Sequence, residues 1–327
     1  MHAWLKLRNA LAVGLTGLLA ALSFTAHAAD WPARPVTVVV PFVAGGTTDI
    51  VARLIGQKLG ELWGQPVVID NRGGAGGNIG AGIVAKATPD GYTLLMTSGS
   101  IVTVNPHIYK DMGFKVSDLM PVTNVASGPM VVAVSATQGP ATLKDLIAAA
   151  KAKPGALNFG SAGIGSQVHM AGENFANAAG IDIVHVPYKG EAAAYADLMA
   201  GQVQLVVGNI GAVAGFVNQG RLRALAVTSK ERSPMLPNVP TANEAGMPGF
   251  ENTGWFGFMA PAGTPQAIVD KVQRDTVRVL QMPDVKEKLA KIGMLPVGNS
   301  PADFATEINT ELKTWGDVVK NRHLKQN

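Results

Sequence analysis

Two patterns of apolar residues alternate along the chain. Short runs rich in β-branched residues, such as Val36 to Pro41, are typical of buried strands. Segments such as Asp49 to Trp63 carry apolar residues three and four positions apart, which predicts a helix with one apolar face. Because the two patterns alternate, we expect an α/β fold with parallel sheets covered by helices.

The alternation forms two successive series, which predict two lobes. At 327 residues the chain exceeds the size at which single cores usually stop growing, about 250–300 residues. The first series predicts elements at Val36 to Pro41, Asp49 to Trp63, Val67 to Asp70, Ile79 to Lys86 and Thr93 to Thr97. The second predicts elements at Met130 to Val134, Leu143 to Ala152, Leu157 to Phe159, Ser166 to Ala179, Ile183 to Val186, Glu191 to Ala200 and Val203 to Val207.

The last third predicts two more strands and then helices. The strands are expected at Leu222 to Thr228 and Trp255 to Ala260. The helices are expected to start at Thr264-Pro265 and Ser300-Pro301, where a hydroxyl residue can serve as the N-cap and proline fits the first turn. We expect these helices to pack on the first lobe.

That arrangement requires the chain to cross between the lobes at least twice. The crossings are expected near Val125 to Met130 and between Thr228 and Gly254, and together they would form a hinge. The predicted limits are residues 30–127 with 253–327 for the first lobe and 128–252 for the second.

The first residues have the layout of a signal peptide. Lys6 and Arg8 precede a stretch without charge, which ends in the small-residue site Ala26-His27-Ala28. An uncleaved anchor is disfavoured, because the apolar core from Ala10 to Phe24 is shorter than the roughly 20 residues that span a bilayer. We expect residues 1–28 to be a signal peptide, cleaved after Ala28 or Ala29, and the protein to be exported.

Charge and cysteine content exclude several functions. Without Lys6 and Arg8, 25 basic residues face 23 acidic ones, so no strong field for nucleic acid is expected. The basic tail of Lys320, Arg322 and Lys325 is interpreted as a solvated helix end. The sequence has no cysteine, which excludes disulfides, thiolate metal sites and a cysteine nucleophile.

Glycine is enriched, at 38 residues, and part of the surplus lies in three loops that each link a strand to a helix. We call residues 42–49 the first glycine loop, 72–78 the second and 161–166 the third. Backbone N–H groups in such loops, and at the helix N-termini that follow, favour an anion at the carboxyl ends of the strands. Any one loop could be an ordinary tight turn. A binding site is favoured by nearby hydroxyl groups at Thr47, Thr48, Ser98, Ser100, Ser161 and Ser166.

The loops do not match phosphate or dinucleotide sites. No Gly-Lys-Ser/Thr follows a glycine loop, and the best dinucleotide match, Gly80 to Ala85, lies inside a predicted helix. A carboxylate held by neutral donors remains, and no cofactor is expected.

No catalytic set can be assembled from the sequence. No serine lies in a Gly-x-Ser-x-Gly motif. His169 and Glu173 stand four apart on a predicted helix, but they are too few ligands for a metal, so a hydrogen-bonded pair on one helix face is favoured. His107 is interpreted as a loop residue. Asp49 either caps its helix and orders the loop or contacts the ligand.

A further segment of the cleft is predicted at Val186 to Gly190. Tyr188 could form a wall of the site and Lys189 could neutralise a carboxylate. A structural tyrosine beside a solvated lysine fits the sequence equally well. Trp255 and Phe256 either line the mouth of the cleft or belong to the core, and the core is favoured.

Several motifs occur in a fixed order over the whole chain after the leader. They are Trp31 to Pro35, Pro41-Phe42 with Gly45-Gly46 and Asp49, Asn71 to Gly80, Pro89 to Leu94, Ser161 to Gly163 with Gly165, Ser166 and His169, Val184 to Gly190, Trp255 to Gly257, and Ala260 to Pro265. In these motifs the sequence resembles the Bug family of solute receptors, also called the TctC family. The resemblance implies a type II periplasmic binding protein fold, with two α/β lobes joined by a hinge.

The resemblance also implies a function. Such a receptor captures a small mono- or dicarboxylate in the periplasm and delivers it to the membrane permease subunits of a tripartite tricarboxylate transporter, and we expect a monomer. The first glycine loop would grip one carboxylate, partly through water, and the second lobe would meet the other end. The expected contacts are Phe42, Gly45, Gly46, Thr47, Thr48, Asp49, Gly76, Ser98, Ser100, Ser161, Ala162, Gly163, Ser166, His169, Tyr188, Lys189, Gly190 and Asn209.

Two departures from the family pattern bear on the ligand. Gly208-Asn209 and Gln204 stand where the family often has acids, so a ligand amino group is expected to lack its acidic partner.

A sensory receptor that presents its ligand to a signalling protein remains an alternative, and so does a secreted α/β hydrolase or isomerase.

Overall fold

The structure is a computed structural model that describes residues 31–324. The expected signal peptide, residues 1–28, and Lys325 lie outside the described residues. Within residues 31–324, none of the helices is both long enough and apolar enough to cross a membrane.

Strands and helices alternate through most of the described chain. The strands are β1 (Val36–Val40), β2 (Val67–Asn71), β3 (Thr93–Ser98), β4 (Leu119–Ser135), β5 (Asn158–Ser161), β6 (Val184–Pro187), β7 (Val206–Asn209), β8 (Leu222–Val227), β9 (Thr253–Pro261) and β10 (Leu295–Pro296). The α-helices are α1 (Thr47–Trp63), α2 (Asn78–Ala85), α3 (Gly99–Thr103), α4 (Asn105–Ile108), α5 (Leu143–Ala152), α6 (Gln167–Ala179), α7 (Glu191–Ala200), α8 (Ile210–Asn218), α9 (Gln266–Leu280), α10 (Pro283–Lys291) and α11 (Pro301–Asn321).

The sheet of the first lobe runs in the order β10-β4-β9-β3-β1-β2. Strands β1, β2 and β3 are parallel, with Val36 opposite Val67 and Thr37 opposite Thr93. Their carboxyl ends therefore meet at one edge, where the first and second glycine loops begin. Helices α9 and α11 return to this lobe, because Val272 and Phe304 are buried in its core clusters.

Strand β4 is much longer than the predicted Met130 to Val134. Its first part pairs with β9 as far as Pro129, and its second part pairs with β7 and β8 from Met130 onward. The first part of β4 was not predicted from the sequence, because the buried polar residues Thr123 and Asn124 interrupt the apolar pattern. Thr123 Oγ1 donates to Asn299 O at 2.8 Å, and Asn124 Nδ2 donates to Glu307 Oε1 at 2.9 Å, so both side chains bond to residues far along the chain.

The second lobe is built around the other half of β4. Strands β5 and β6 are parallel, and Phe159 of β5 bridges to Leu205 just before β7. Phe159 and Phe175 are fully buried between these strands and the helices α5 and α6. The loops after β5, β6 and β7 therefore open on one edge, as those of the first lobe do.

Two predictions about helix starts and one missed helix stand out. Ser300 caps α11 by accepting a hydrogen bond from Asp303 N, as predicted. The predicted cap at Thr264 is wrong: α9 starts after Pro265, and the Thr264 hydroxyl donates to Pro261 O instead. Helix α8 was missed because Gly211 and Gly215 weaken its helical pattern.

Thr228 joins the two crossings between the lobes. Its hydroxyl accepts a hydrogen bond from Met130 N at 2.8 Å and lies within hydrogen-bond distance of Asn252 O. Its backbone N–H donates to Met130 O at 2.9 Å. We propose the limits predicted from the sequence, 30–127 with 253–327 and 128–252, for the two lobes, and the change of pairing in β4 at Pro129 supports them.

The lobes also meet away from the crossings. Val104 and Ile108 of the first lobe pack against Met170 of the second in a separate buried cluster. Arg322, just after α11, donates to Glu173 of α6 at 2.9 Å. Burial alone would raise the pKa of Glu173, but the neighbouring His169 and the hydrogen bond from Arg322 outweigh it and lower the pKa.

Replacing Arg322 with glutamine should destabilise the protein. Arg322→Gln leaves Glu173 buried without its cation, and we expect the free energy of unfolding to fall by about 2–3 kcal/mol, less than for a fully buried pair because Arg322 is partly exposed. Because the folded pKa of Glu173 is lowered, the loss should be present at neutral pH and shrink below about pH 4. Urea unfolding measures it; Arg274→Gln, at an exposed position of α9, is the control. An equal effect of both variants would contradict the prediction.

Candidate functional site

A cleft of about 1020 Å³ opens between the two lobes. All three glycine loops and the segment after β6 contribute to its lining. The predicted contacts in the lining are Phe42, Gly45, Gly46, Thr47, Thr48, Gly76, Ser98, Ala162, Gly163, Ser166, Tyr188, Lys189, Gly190 and Asn209. The other predicted contacts, Asp49, Ser100, Ser161 and His169, lie outside this lining.

Asp49 holds the first glycine loop from behind. Its carboxylate accepts hydrogen bonds from Gly45 N at 2.9 Å and Asn71 Nδ2 at 3.0 Å, and it pairs with Arg53. Burial alone would raise the pKa of Asp49, but hydrogen bonds from Arg53, Gly45 and Asn71 outweigh it and lower the pKa. Gly45 has φ +88°, which permits the tight turn above the carboxylate. Asp49 is thus a loop-ordering residue, which is one of the two roles expected from the sequence.

The start of α1 presents neutral donors to the cleft. The first N–H groups of a helix have no partner within it, and the cap residue Gly46 offers no side chain to satisfy them. Thr47 and Thr48 lie in this turn and line the cleft. The helix dipole favours an anion at this point. The negative charge of Asp49 in the same turn is compensated by Arg53 at 2.9 Å.

The second glycine loop lets the lobes approach closely. A Cβ added to Gly76 would lie 2.6 Å from Ile164 O and from Tyr109 Oη, and Gly76 has φ +61°. Tyr109 Oη donates to Ile164 O at 3.0 Å, which ties the first lobe to the third glycine loop. A side chain at this position would therefore force the lobes apart on this side of the cleft.

The third glycine loop is held by its own serines. The Ser161 hydroxyl accepts a hydrogen bond from Gly163 N at 3.0 Å and lies 2.6 Å from His185 Nε2. Ser166 caps α6 by accepting a hydrogen bond from His169 N. Ser161 is fully buried and so orders the loop, whereas Ser166 also lines the cleft.

Two histidines lie stacked beneath this loop. The ring centroids of His169 and His185 are 3.9 Å apart, and His169 Nδ1 accepts a hydrogen bond from Gly165 N. Burial first, and then the neighbouring His169, lower the pKa of His185 to about 3, so it is neutral. His169 Nε2 lies 3.6 Å from Glu173 Oε1, close to the pairing favoured by the sequence. Within residues 31–324 no group of three or more histidine, cysteine, aspartate or glutamate residues could hold a metal.

His107 was interpreted as a loop residue, and this was wrong. It lies in the short helix α4, and its Nε2 is 2.8 Å from Leu312 O of α11. His107 therefore has a packing role between helices of the first lobe and does not reach the cleft.

Tyr188 and Lys189 both line the cleft. Tyr188 Oη donates to Asp197 Oδ2 at 2.7 Å, so its ring forms a wall while its hydroxyl is occupied. Burial first, and then Asp197, raise the pKa of Tyr188 to about 12. Lys189 is exposed, and no carboxylate within residues 31–324 lies within 4.0 Å of its ammonium group. It is available to an anionic ligand.

Two serines at the carboxyl end of β3, Ser98 and Ser100, line different cavities. Ser98 lines the cleft, and its hydroxyl lies 3.3 Å from that of Ser100. Ser100 lines a separate small cavity instead, beside Trp255. Trp255 is 2% exposed and belongs to the core, as favoured by the sequence, whereas Phe256 is buried and also lines the cleft.

Sequence reasoning missed an acid in the cleft. Glu191 lines it, and Asn209 Nδ2 donates to Glu191 Oε1. Glu191 was not among the predicted contacts, whereas Gly208 and Gln204 carry no acid, as the sequence states. Glu191 was not predicted as a site residue, because an acid in the first turn of a helix is usually explained by the helix dipole. The missed helix α8 contributes Ala212 and Phe216 to the same wall.

Two α/β lobes, with a cleft at the carboxyl ends of their strands, define a periplasmic binding protein of type II. The chain belongs to the TctC family, described as the tripartite tricarboxylate transporter family receptor, and the model of this family matches residues 51–324. This confirms the resemblance found in the sequence. The family consists of solute receptors, and the chain is accordingly a binding protein and not an enzyme.

Relatives and solved structures agree with this assignment. Protein BugT of Bordetella pertussis is 38% identical over 315 residues, which cover 96% of this chain and 97% of the relative. The structure of R. palustris Rpa4515 with adipate is 40% identical, has a TM-score of 0.85 and covers 90% of this chain and 98% of its own. MatC (Rpa3494) from Rhodopseudomonas palustris with bound malate is 33% identical, has a TM-score of 0.82 and covers 88% of this chain and 100% of its own.

Replacing Asp49 with asparagine tests its role behind the first glycine loop. Asp49→Asn keeps the shape but leaves Arg53 without its anion, so we expect the free energy of unfolding at neutral pH to fall by about 1–3 kcal/mol. Because the folded pKa of Asp49 is lowered, this contribution should disappear as the pH falls below about 4. Urea unfolding at neutral and acid pH measures both effects. Asp317→Asn, at an exposed position of α11, should be silent; a silent Asp49→Asn would remove the loop-ordering role.

Proposed function

We propose that this chain is the extracytoplasmic receptor of a tripartite tricarboxylate transporter. It captures a small mono- or dicarboxylate between its lobes and delivers it to the membrane permease subunits. The observation that carries this proposal is the set of neutral donors at the start of α1, which line the interlobe cleft of a TctC family member. The adipate of Rpa4515 and the malate of MatC are carboxylates of this size.

The ligand contacts that we propose are those predicted from the sequence and found in the cleft lining. Thr47, Thr48, Ser166 and the backbone of the third glycine loop supply neutral donors, and Lys189 supplies a positive charge. Neutral donors suffice for a carboxylate when several converge and bridging waters complete the shell.

Hinge closure couples binding to recognition by the permease. The crossings at Pro129 and Thr228 allow the lobes to rotate, and a ligand favours the closed form only through contacts that it makes in that form. The closed surface would then be what the permease recognises.

A thermal-shift screen tests the binding proposal. At a hundredfold excess over its Kd, a ligand stabilises the native state by about 2.7 kcal/mol, so the correct carboxylate should raise the melting temperature by on the order of 5 °C. Adipate, malate and a library of small carboxylates are the probes. If no carboxylate raises the melting temperature, the proposal is overturned.

Thr47→Val tests the anion grip itself. It removes a hydroxyl from the cleft and keeps the side-chain shape, so affinity for the carboxylate found in the screen should fall about tenfold, as for a lost hydrogen bond to a charged group. Isothermal titration calorimetry measures the affinity. Thr310→Val, at an exposed position of α11, is the matched control. Unchanged affinity in Thr47→Val would exclude this side chain from the site.

Export is tested separately. When the full chain is made in a Gram-negative host, we expect the periplasmic fraction to contain a protein that starts at Ala29 or Asp30. Mass spectrometry of the intact protein identifies the first residue, and an Ala28→Arg variant, which spoils the small-residue site, should remain uncleaved. A periplasmic protein that keeps its first 28 residues would contradict the cleavage.

A further inference from the structure

One half-buried acidic residue in the cleft is not explained by a carboxylate ligand. Glu191 is the first residue of α7, and its side chain lines the cleft. Among the described residues of the lining, the charged side chains are Lys189 and Glu191. A second acid from the ligand would therefore meet a wall that already carries one.

The surroundings of Glu191 hold its carboxyl group in place. Asn209, which is 1% exposed at the end of β7, donates its Nδ2 to Glu191 Oε1. Tyr195 lies one turn further along α7, is 2% exposed, and has its hydroxyl beside the carboxyl group. Gly208 makes room for that hydroxyl, since a Cβ there would collide with Tyr195 Oη. The carboxyl group is thus part of a packed wall and not a mobile side chain.

This wall faces the anion-binding end of the cleft. Gly190 precedes Glu191, and a Cβ added to it would lie 3.3 Å from Val43 Cγ2 in the first glycine loop. The loop that is proposed to grip a carboxylate therefore lies directly across from the start of α7. Glu191 is therefore within reach of the far end of a ligand that this loop would hold.

We propose that Glu191 determines the specificity of the cleft: held by Asn209, it selects a carboxylate whose far end donates a hydrogen bond, and it admits a second carboxylate only together with a proton. The preferred class is a hydroxy or amino monocarboxylate. The inference rests on the proposed function, because it needs the first carboxylate to be held by α1.

The physical reason is repulsion between like charges in a partly dry site. Two ionised carboxylates in contact cannot both remain charged, so a dicarboxylate must share a proton with Glu191. That proton is accessible: burial raises the pKa of Glu191 to about 7, although the hydrogen bond from Asn209 and the neighbouring Tyr195 act in the opposite direction. The groups that face it are Tyr195 on its own helix, the neutral amide of Asn209 on β7, and the exposed Lys189 in the preceding loop.

Calorimetry with matched ligands tests the proposal. The probes are succinate, glutarate and adipate, each paired with the hydroxy acid of equal length: 4-hydroxybutanoate, 5-hydroxypentanoate and 6-hydroxyhexanoate. Each is titrated into the wild type and Glu191→Gln at pH 6 and pH 8. Glutamine keeps the bond from Asn209 but offers a donor to the ligand. Glu231→Gln, at an exposed position of the second lobe, is the control.

The wild type should bind the hydroxy acid more tightly at pH 8, by roughly 10- to 100-fold. Its dicarboxylate affinity should rise towards pH 6, by at most tenfold per pH unit above the pKa, because the complex takes up one proton. Titrations in buffers of different ionisation enthalpy should register that proton. Glu191→Gln should prefer the dicarboxylate, with little pH dependence and no proton uptake.

The outcomes separate this inference from the proposed function. If carboxylates bind but the preference is the same in the wild type and Glu191→Gln, and does not change with pH, Glu191 is not the specificity residue while the receptor function stands. If no probe binds either protein at either pH, the proposed function fails and this inference fails with it. Urea unfolding of Glu191→Gln shows whether the variant is folded.

Discussion

Both lobes share strand β4, and the geometry of the cleft depends on this strand. It pairs with β9 in one sheet and with β7 and β8 in the other, so the two sheets meet at fixed residues and not through a flexible linker. Thr228 adds hydrogen bonds between the same crossing and the chain that returns to β9. The carboxyl ends of the parallel strands consequently open towards one common cleft.

Local signals in the sequence predicted most of the elements and the cleft loops, because a glycine turn followed by a helix start is specified by adjacent residues. The extent of β4 could not be predicted, because the partners of Thr123 and Asn124 are Asn299 and Glu307. Helix α8 was not predicted, because its two glycines weaken the helical pattern. The contact between Asn209 and Glu191 could not be predicted either, since it joins a strand end to a helix start that only the tertiary fold brings together.

Several polar residues that the sequence predicts as ligand contacts hold the cleft in shape. Asp49 fixes the first glycine loop through Gly45 and Arg53, and Ser161 fixes the third through Gly163 and His185. Because these polar side chains have their partners within the protein, the groups left at the surface of the cleft are mostly neutral. Such a surface costs little to desolvate when a ligand enters, and its donors are already oriented before the ligand arrives.

Contacts between the lobes decide what the ligand has to contribute. Two contacts already join the lobes away from the anion-binding end: Arg322 with Glu173, and Tyr109 with Ile164. The ligand therefore does not have to bring the lobes together by itself. It adds to a contact that is already present between the start of α7 and the first glycine loop, where Gly190 lies against Val43. Glu191 lies on the lobe that completes this contact. Under the proposed role of Glu191, closure of the lobes therefore depends on how the far end of the ligand is recognised. A ligand that repels Glu191 can be bound at α1 and still fail to hold the lobes closed.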